Sequence, residues 1–372
     1  MSSTTLSIIH ANLAIKCFNK LIENETSQSI IYSPISLAIA LSMAYLGSNG
    51  KTKEEIKSFL VGENNDEELH QHFNEFLNDL TKNEDSLLQS VNKIYVKENF
   101  SLLESFTEDI KKYYEGQFEQ VDFNSPNTCD IINNFVQKAT NDIIQNLISP
   151  SDLNDLTRLI LINAIYFKGK WCLKFDKNLT KEDDFYITQN TTKKVDMMFK
   201  KDKYKYYENE EYQLIQLEYE GDKQRMIILL PKERNTLKER LQTLDGNTLF
   251  DLIDSTDKLP VHVYLPKFKV ESMHQLNETL SNLGMKLPFS DYADFSLMTD
   301  EEPLQISKII QKAFVEVDEE GTEAAAATAV IMMCRSSLPH KPTPNYVFRA
   351  DHPFAYFIMD NHENILFTGI YQ

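Results

Sequence analysis

The chain has 372 residues, 42% hydrophobic and 25% charged, with ten glycines and twelve prolines. This is the make-up of a folded globular protein, and it leaves no room for a collagen-like, linker-rich or low-complexity architecture. The formal charge of −18 comes from 38 Lys and Arg against 56 Asp and Glu. It argues against nucleic acid, heparin and anionic membranes as partners, because those surfaces are bound by clustered cations.

Residues 1–20 have neither a basic start nor a continuous apolar run, so no cleaved signal peptide is expected. A first helix follows from Leu6, Ile9, Leu13, Cys17 and Leu21, which recur at spacings of three and four. In "SPISLAIALSMAYLG" Ser33 is placed to cap a helix, Pro34 takes its first position and Gly47 falls just past its end. The run is too short and too serine-interrupted to span a membrane, and it reads as a buried helix. "GSNGKT" (Gly47 to Thr52) ends like a phosphate loop, but Tyr45 stands where that motif needs glycine. It reads as one helix ending and the next beginning. In the amphipathic stretch "DEELHQHFNEFLNDL", His70 and His72 fall on different helix faces and are poor joint ligands.

The texture then turns strand-like in "VNKIYVKEN", "LILINAIYFKGKW", "YQLIQLEYEGDKQRMIILLP" and "LPVHVYLPKFKVES", with a hairpin expected around Glu220-Gly221-Asp222. "SMHQLNETLSNLGM" is expected to be helical up to Gly284, and "IQKAFVEVDEE", "PFAYFIMD" and "NILFTGI" to be strands. No linker or repeat divides the chain, so one mixed α+β domain over 1–372 is expected.

Chemistry-bearing motifs are few. Cys17, Cys129, Cys172 and Cys334 form no CxxC pair, and free thiols are favoured over the alternative of one disulfide. The remaining histidines have no metal-ligand spacing, and neither GxSxG nor HExxH occurs. No metal, cofactor or catalytic residue is implied; a hydrolase with an unrecognised site remains as a rival reading. Sequons at Asn24, Asn99, Asn178, Asn190 and Asn277 do not settle the compartment.

The unusual segment is "EEGTEAAAATAVIMMCRSS", Glu319 to Ser337. Alanine propensity alone would make it a helix, but it has no polar face. It does suit a strand that must slide between two others. It contains no proline, and a central strand must donate every ladder hydrogen bond. Its first side chains are mostly small, with Thr322, Ala324, Ala326 and Thr328 on one face and Glu323, Ala325, Ala327 and Ala329 on the other.

"VDEEGTEAAAATA" resembles the mobile hinge of the serpins almost residue for residue. So, in order along the chain, do "YSPISLAIALSMAYLGSNGKTKEEI", "LINAIYFKGKW", "LPKFKVES", "ADFSLM", "ISKIIQKAFVEV", "DHPFAYFI" and "ILFTGI". The resemblance implies three β-sheets and about nine helices, with a reactive-centre loop at about 319–345. It implies a monomeric suicide inhibitor of serine proteases whose cleaved loop enters the large sheet. The bond cut in most inhibitory relatives lies fourteen residues after the hinge glycine. From Gly321 that gives Arg335-Ser336, which suits a trypsin-like protease. A cut after Cys334 or Met333 by another protease class is the alternative. Position by position, the resemblance makes Ser33, Ser36 and Asn163 the polar shutter beneath the sheet. Trp171 matches the residue where insertion begins, and Glu319 the hinge acid paired with a lysine, here Lys267. Gln311 departs from the pattern, standing where the family usually has a shutter histidine. A non-inhibitory carrier, chaperone or storage serpin is the alternative function, which bulky, charged or proline residues in the hinge would favour. Action outside the cell without a cleaved signal is favoured over a cytoplasmic role.

Overall fold

The computed structural model describes residues 5–23, 28–62, 64–81, 88–221, 223–300, 303–321 and 346–372. In chain order it gives α1 (Thr5–Glu23), β1 (Ile30–Tyr32), α2 (Pro34–Gly47), α3 (Gly50–Leu60), α4 (Asp66–Thr81), β2 (Leu88–Lys97), α5 (Glu104–Tyr114), β3 (Phe118–Val121) and α6 (Thr128–Ala139). There follow β4 (Leu159–Phe167), β5 (Lys181–Tyr186), β6 (Thr192–Glu208), β7 (Tyr212–Glu218), β8 (Gln224–Pro231), α7 (Leu237–Gln242) and α8 (Gly246–Asp254). The chain closes with β9 (Asp257–Pro266), β10 (Phe268–Gln275), α9 (Asn277–Leu283), β11 (Ile306–Val317), β12 (Tyr346–Arg349), β13 (Phe354–Asp360) and β14 (Ile365–Tyr371).

Among the described residues the strands form two hydrogen-bonded sheets. One has five strands in the order β10-β11-β4-β2-β3, and the other has nine. Three sheets were expected, and the count differs because β6 is long. It pairs with β9 from Met197 to Tyr206 and with β7 only from Lys205 to Glu208, so its far end joins two smaller sheets into one path. The hairpin β7–β8 is antiparallel, as its turn residues imply. One expected helix is half strand: Ser272 to Gln275 belong to β10, which pairs with β11 from Phe268/Val317 to Gln275/Ile310. The apolar spacing of that stretch carried the helical reading back into a segment whose pairing to β11 decides the matter.

The helix α2 is buried on every side, with Ser33 as its cap accepting from the Ser36 N–H and Pro34 in its first turn. It lies under the five-stranded sheet, against β2, β4 and β14. Strand alternation therefore splits β4. Leu159, Leu161, Ile165 and Phe167 join the main core on the α2 side, while Ile160, Ile162, Ala164 and Tyr166 join a second core that includes Ile132 and Val136 of α6. No helix among the described residues is long and apolar enough to cross a membrane.

Candidate functional site: a parallel strand pair and its hinge

Within the five-stranded sheet, β4 and β11 run parallel, with Gln311 level with Asn163 and Val315 level with Phe167. Parallel neighbours pair less stably per residue than antiparallel ones. Just past the end of β11 the chain turns back on itself between Asp318 and Gly321. The Asp318 Oδ1 accepts from the N–H groups of Glu320 (2.8 Å) and Gly321 (3.1 Å), and the Asp318 N–H donates to the Gly321 carbonyl at 2.8 Å. Gly321 has φ of +148°, and a Cβ there would run into the carbonyl of Gly169. Only glycine suits both demands.

The segment after β4 holds this turn by three consecutive carbonyls. The Trp171 indole Nε1 donates to Asp318 O (2.9 Å), the Phe175 N–H to Glu319 O (2.9 Å) and the Trp171 N–H to Glu320 O (2.8 Å). Trp171 is itself 1% exposed and stacks on Tyr219 with ring centroids 4.4 Å apart. Glu319 is 3% exposed and lies 3.0 Å from the ammonium of Lys267, while Thr180 Oγ1 donates to its other oxygen at 2.7 Å. Burial by itself pushes the Glu319 pKa up, but the hydrogen bonds from Thr180 and Lys267 outweigh it and hold the carboxyl below its usual range. For Lys267, burial acts downward and the Glu319 carboxylate more than reverses it.

A row of polar side chains crosses the middle of the sheet on its α2 face. Asn92 of β2, Asn163 of β4 and Gln311 of β11 are in register. Gln311 clamps the Ser33 main chain with both ends of its amide, accepting from the N–H (2.7 Å) and donating to the carbonyl (2.9 Å). Ser33 Oγ donates to Leu366 O, and Ser36 Oγ to Asn92 Oδ1 at 2.5 Å. Asn163 is fully buried, and neither end of its amide has a hydrogen-bond partner among the described residues.

The site residues read from the sequence thus fall into two groups, Glu319, Gly321, Trp171 and Lys267 at the hinge and Ser33, Ser36, Asn163 and Gln311 in the polar row. Thr322, Glu323, Ala324, Ala325, Ala326, Ala327, Thr328, Arg335 and Ser336 lie outside the described residues. Sequence reading missed Asn92, whose signal was an Asn inside an apolar strand run, and Asp318, which precedes the hinge acid. It also missed Thr180, for which the sequence carries no signal. His70 and His72 point to different partners, Tyr114 and Asn364. The buried Cys17 and Cys129 are free thiols.

Residues 9–372 match the family described as Serpin (serine protease inhibitor). Antichymotrypsin-2 of Bombyx mori is 35% identical over 97% of this chain and 96% of its own length. Antitrypsin of the same organism is 36% identical over 97% and 92%. The crystal structure of Serpin48, "a highly specific serpin in the insect Tenebrio molitor", superposes with a TM-score of 0.87 at 34% identity, covering 100% of this chain and 98% of that one. Inhibitory and non-inhibitory serpins are both among the chains it resembles.

Proposed function

The chain belongs to the serpin family, whose members are protease regulators rather than catalysts, and from that premise we propose that it is a suicide inhibitor of trypsin-like serine proteases cleaved at Arg335-Ser336. The observation that carries the reading is the parallel β4–β11 pair with a reversing hinge at its end. A strand that folds back from Gly321 between them would run antiparallel to both neighbours. It would replace one parallel ladder with two antiparallel ones, a change that favours entry.

In this mechanism the protease serine attacks the Arg335 carbonyl and forms an acyl-enzyme, releasing the new amino terminus at Ser336. Insertion of about fifteen residues at roughly 3.3 Å each then carries the bound protease about 50 Å. The displacement pulls its serine away from its base and oxyanion hole, and deacylation stalls. The hinge sequence supports insertion, since Thr322 to Thr328 hold no proline and the face formed by Thr322, Ala324, Ala326 and Thr328 carries only small side chains, the charge of Glu323 lying on the other. A carrier, chaperone or storage role is the alternative, because relatives of both kinds exist. The reading extends to a monomer acting outside the cell, where an Arg-directed inhibitor has targets.

The test is to mix the protein with trypsin and look for an adduct that survives boiling in SDS, alongside Arg335→Ala. An adduct in the wild type alone supports trapping at this bond. Clean cleavage after Arg335 with no adduct means a substrate-like loop and moves the non-inhibitory reading ahead.

A further inference from the structure

A cavity of about 220 Å³ lies behind the hinge, in the fork where β6 and β7 part company. The two strands pair only up to Lys205 and Gln216, after which β7 continues with β8. The segment from Trp171 to Phe175 fills the fork from one side, held to β7 by the Cys172 N–H, which donates to Glu218 O at 2.9 Å. One wall is apolar, made by Trp171, Leu173, Phe175 and Leu217.

Three exposed lysines stand among the polar residues that make up the rest of the lining. Lys203 and Lys205 stand two apart on β6, so they share a face, and Lys258 of β9 is directly opposite Lys205. Like charges in that position repel. The single carboxylate lining the cavity, Glu218, is 3.4 Å from Lys205, and neither Lys203 nor Lys258 has an anionic partner among the described residues. Tyr204, 4% exposed, lies between the two lysines on β6 and so faces the other way, into the core behind the cavity, where its hydroxyl has no hydrogen-bond partner among the described residues. Such a lining asks for a short apolar body ending in an anion. The negative charge of the whole molecule opposes that only weakly, because salt screens it beyond about 8 Å. The volume would hold about seven waters, so the ligand is smaller than an ordinary drug-sized molecule.

We propose that this cavity binds a medium-chain carboxylate and that its occupation holds the hinge shut. Trp171 and Phe175, which wall the cavity, are the residues whose N–H groups carry the Asp318, Glu319 and Glu320 carbonyls. A ligand packed against them favours the closed turn, which rests on the insertion mechanism proposed above. Loop entry then slows while the acyl bond still hydrolyses, so more of the protein is consumed as substrate.

Trp171 is the only tryptophan of the chain, so its fluorescence reports the site directly. Octanoate titrated into the intact, uncleaved protein should give a saturable change, with octanol binding about tenfold more weakly or worse for want of a charge. Lys205→Glu with Lys258→Glu, or the milder Lys258→Gln, should weaken octanoate while leaving the uninhabited protein folded. At saturation the melting temperature should rise by about 2–4 °C, and the number of inhibitor molecules used per trypsin trapped should rise severalfold. No saturable signal overturns the site, and equal affinity for octanol or for the lysine variants overturns the anionic class. Binding that leaves both melting temperature and stoichiometry unchanged overturns the link to the hinge. If no trypsin adduct forms under any condition, the inhibitory reading falls, and the site stands or falls on fluorescence and melting alone.

Discussion

Glu319→Gln isolates the charge at the hinge while keeping the shape of the side chain. In the wild type the carboxylate is 3% exposed and bound by Thr180 at 2.7 Å and Lys267 at 3.0 Å. Removing one partner of a fully buried pair costs about 3–5 kcal/mol. The side chain of Lys267 is 36% exposed and can rehydrate once released. The loss should therefore be nearer 1–2 kcal/mol (~) once solvent screening is allowed for. The sign of the pH dependence follows from the depressed Glu319 pKa. The wild-type advantage is fully present above the unfolded pKa of about 4.3 and is lost as pH falls through the lower folded value. Denaturant midpoints of the two proteins, measured from pH 7 down to the acid limit of folding, should thus converge at low pH. Entry of a synthetic peptide copying residues 322–335 should be faster in the variant at pH 7. Equal midpoints and equal peptide entry at pH 7, or a gap that persists when Glu319 is protonated, would refute the reasoning.

Gly321→Ala forces a Cβ against the Gly169 carbonyl at a φ of +148°, so it should break the turn and speed peptide entry more than Glu319→Gln does. Gln311→His replaces the amide that clamps Ser33 in a fully buried setting. Burial lowers a histidine pKa, so the variant should lose stability relative to the wild type as pH falls below about 6.5, whereas parallel pH profiles would count against this. Asn163→Leu removes an amide with no partner among the described residues. Its urea midpoint should equal or exceed that of the wild type, and a loss of about 2 kcal/mol or more would mean that the amide is engaged in the folded state.

Much of this arrangement is legible in the residues before any coordinates. Ser33, Pro34 and Gly47 mark the ends of α2 because capping and first-turn chemistry are local, and the structure keeps those bounds to within a residue. The pairing of Glu319 with Lys267 was reached only through resemblance, since 52 positions separate the two and no local rule connects them. Thr180 was out of reach for the same reason, and Asn92 showed only as an Asn inside an apolar strand run, with nothing local to name its partner. Each acts through a partner brought near by sheet register, and register is set by turns and strand neighbours far along the chain. Ser272 to Gln275 misled the helical reading because apolar spacing over a short window does not reveal which strand lies alongside.

The parallel β4–β11 pair also bears on how the protein must be handled. On the insertion mechanism proposed above, the place between these two strands does not ask which molecule supplies the strand that enters it. In dilute solution the molecule's own loop has the advantage of tethering; in concentrated or warmed solution a neighbour's loop competes for the same place. Shelf life then becomes a matter of rates and crowding, and a preparation that looks equally folded on two days can differ in how much of it is still monomeric and unspent.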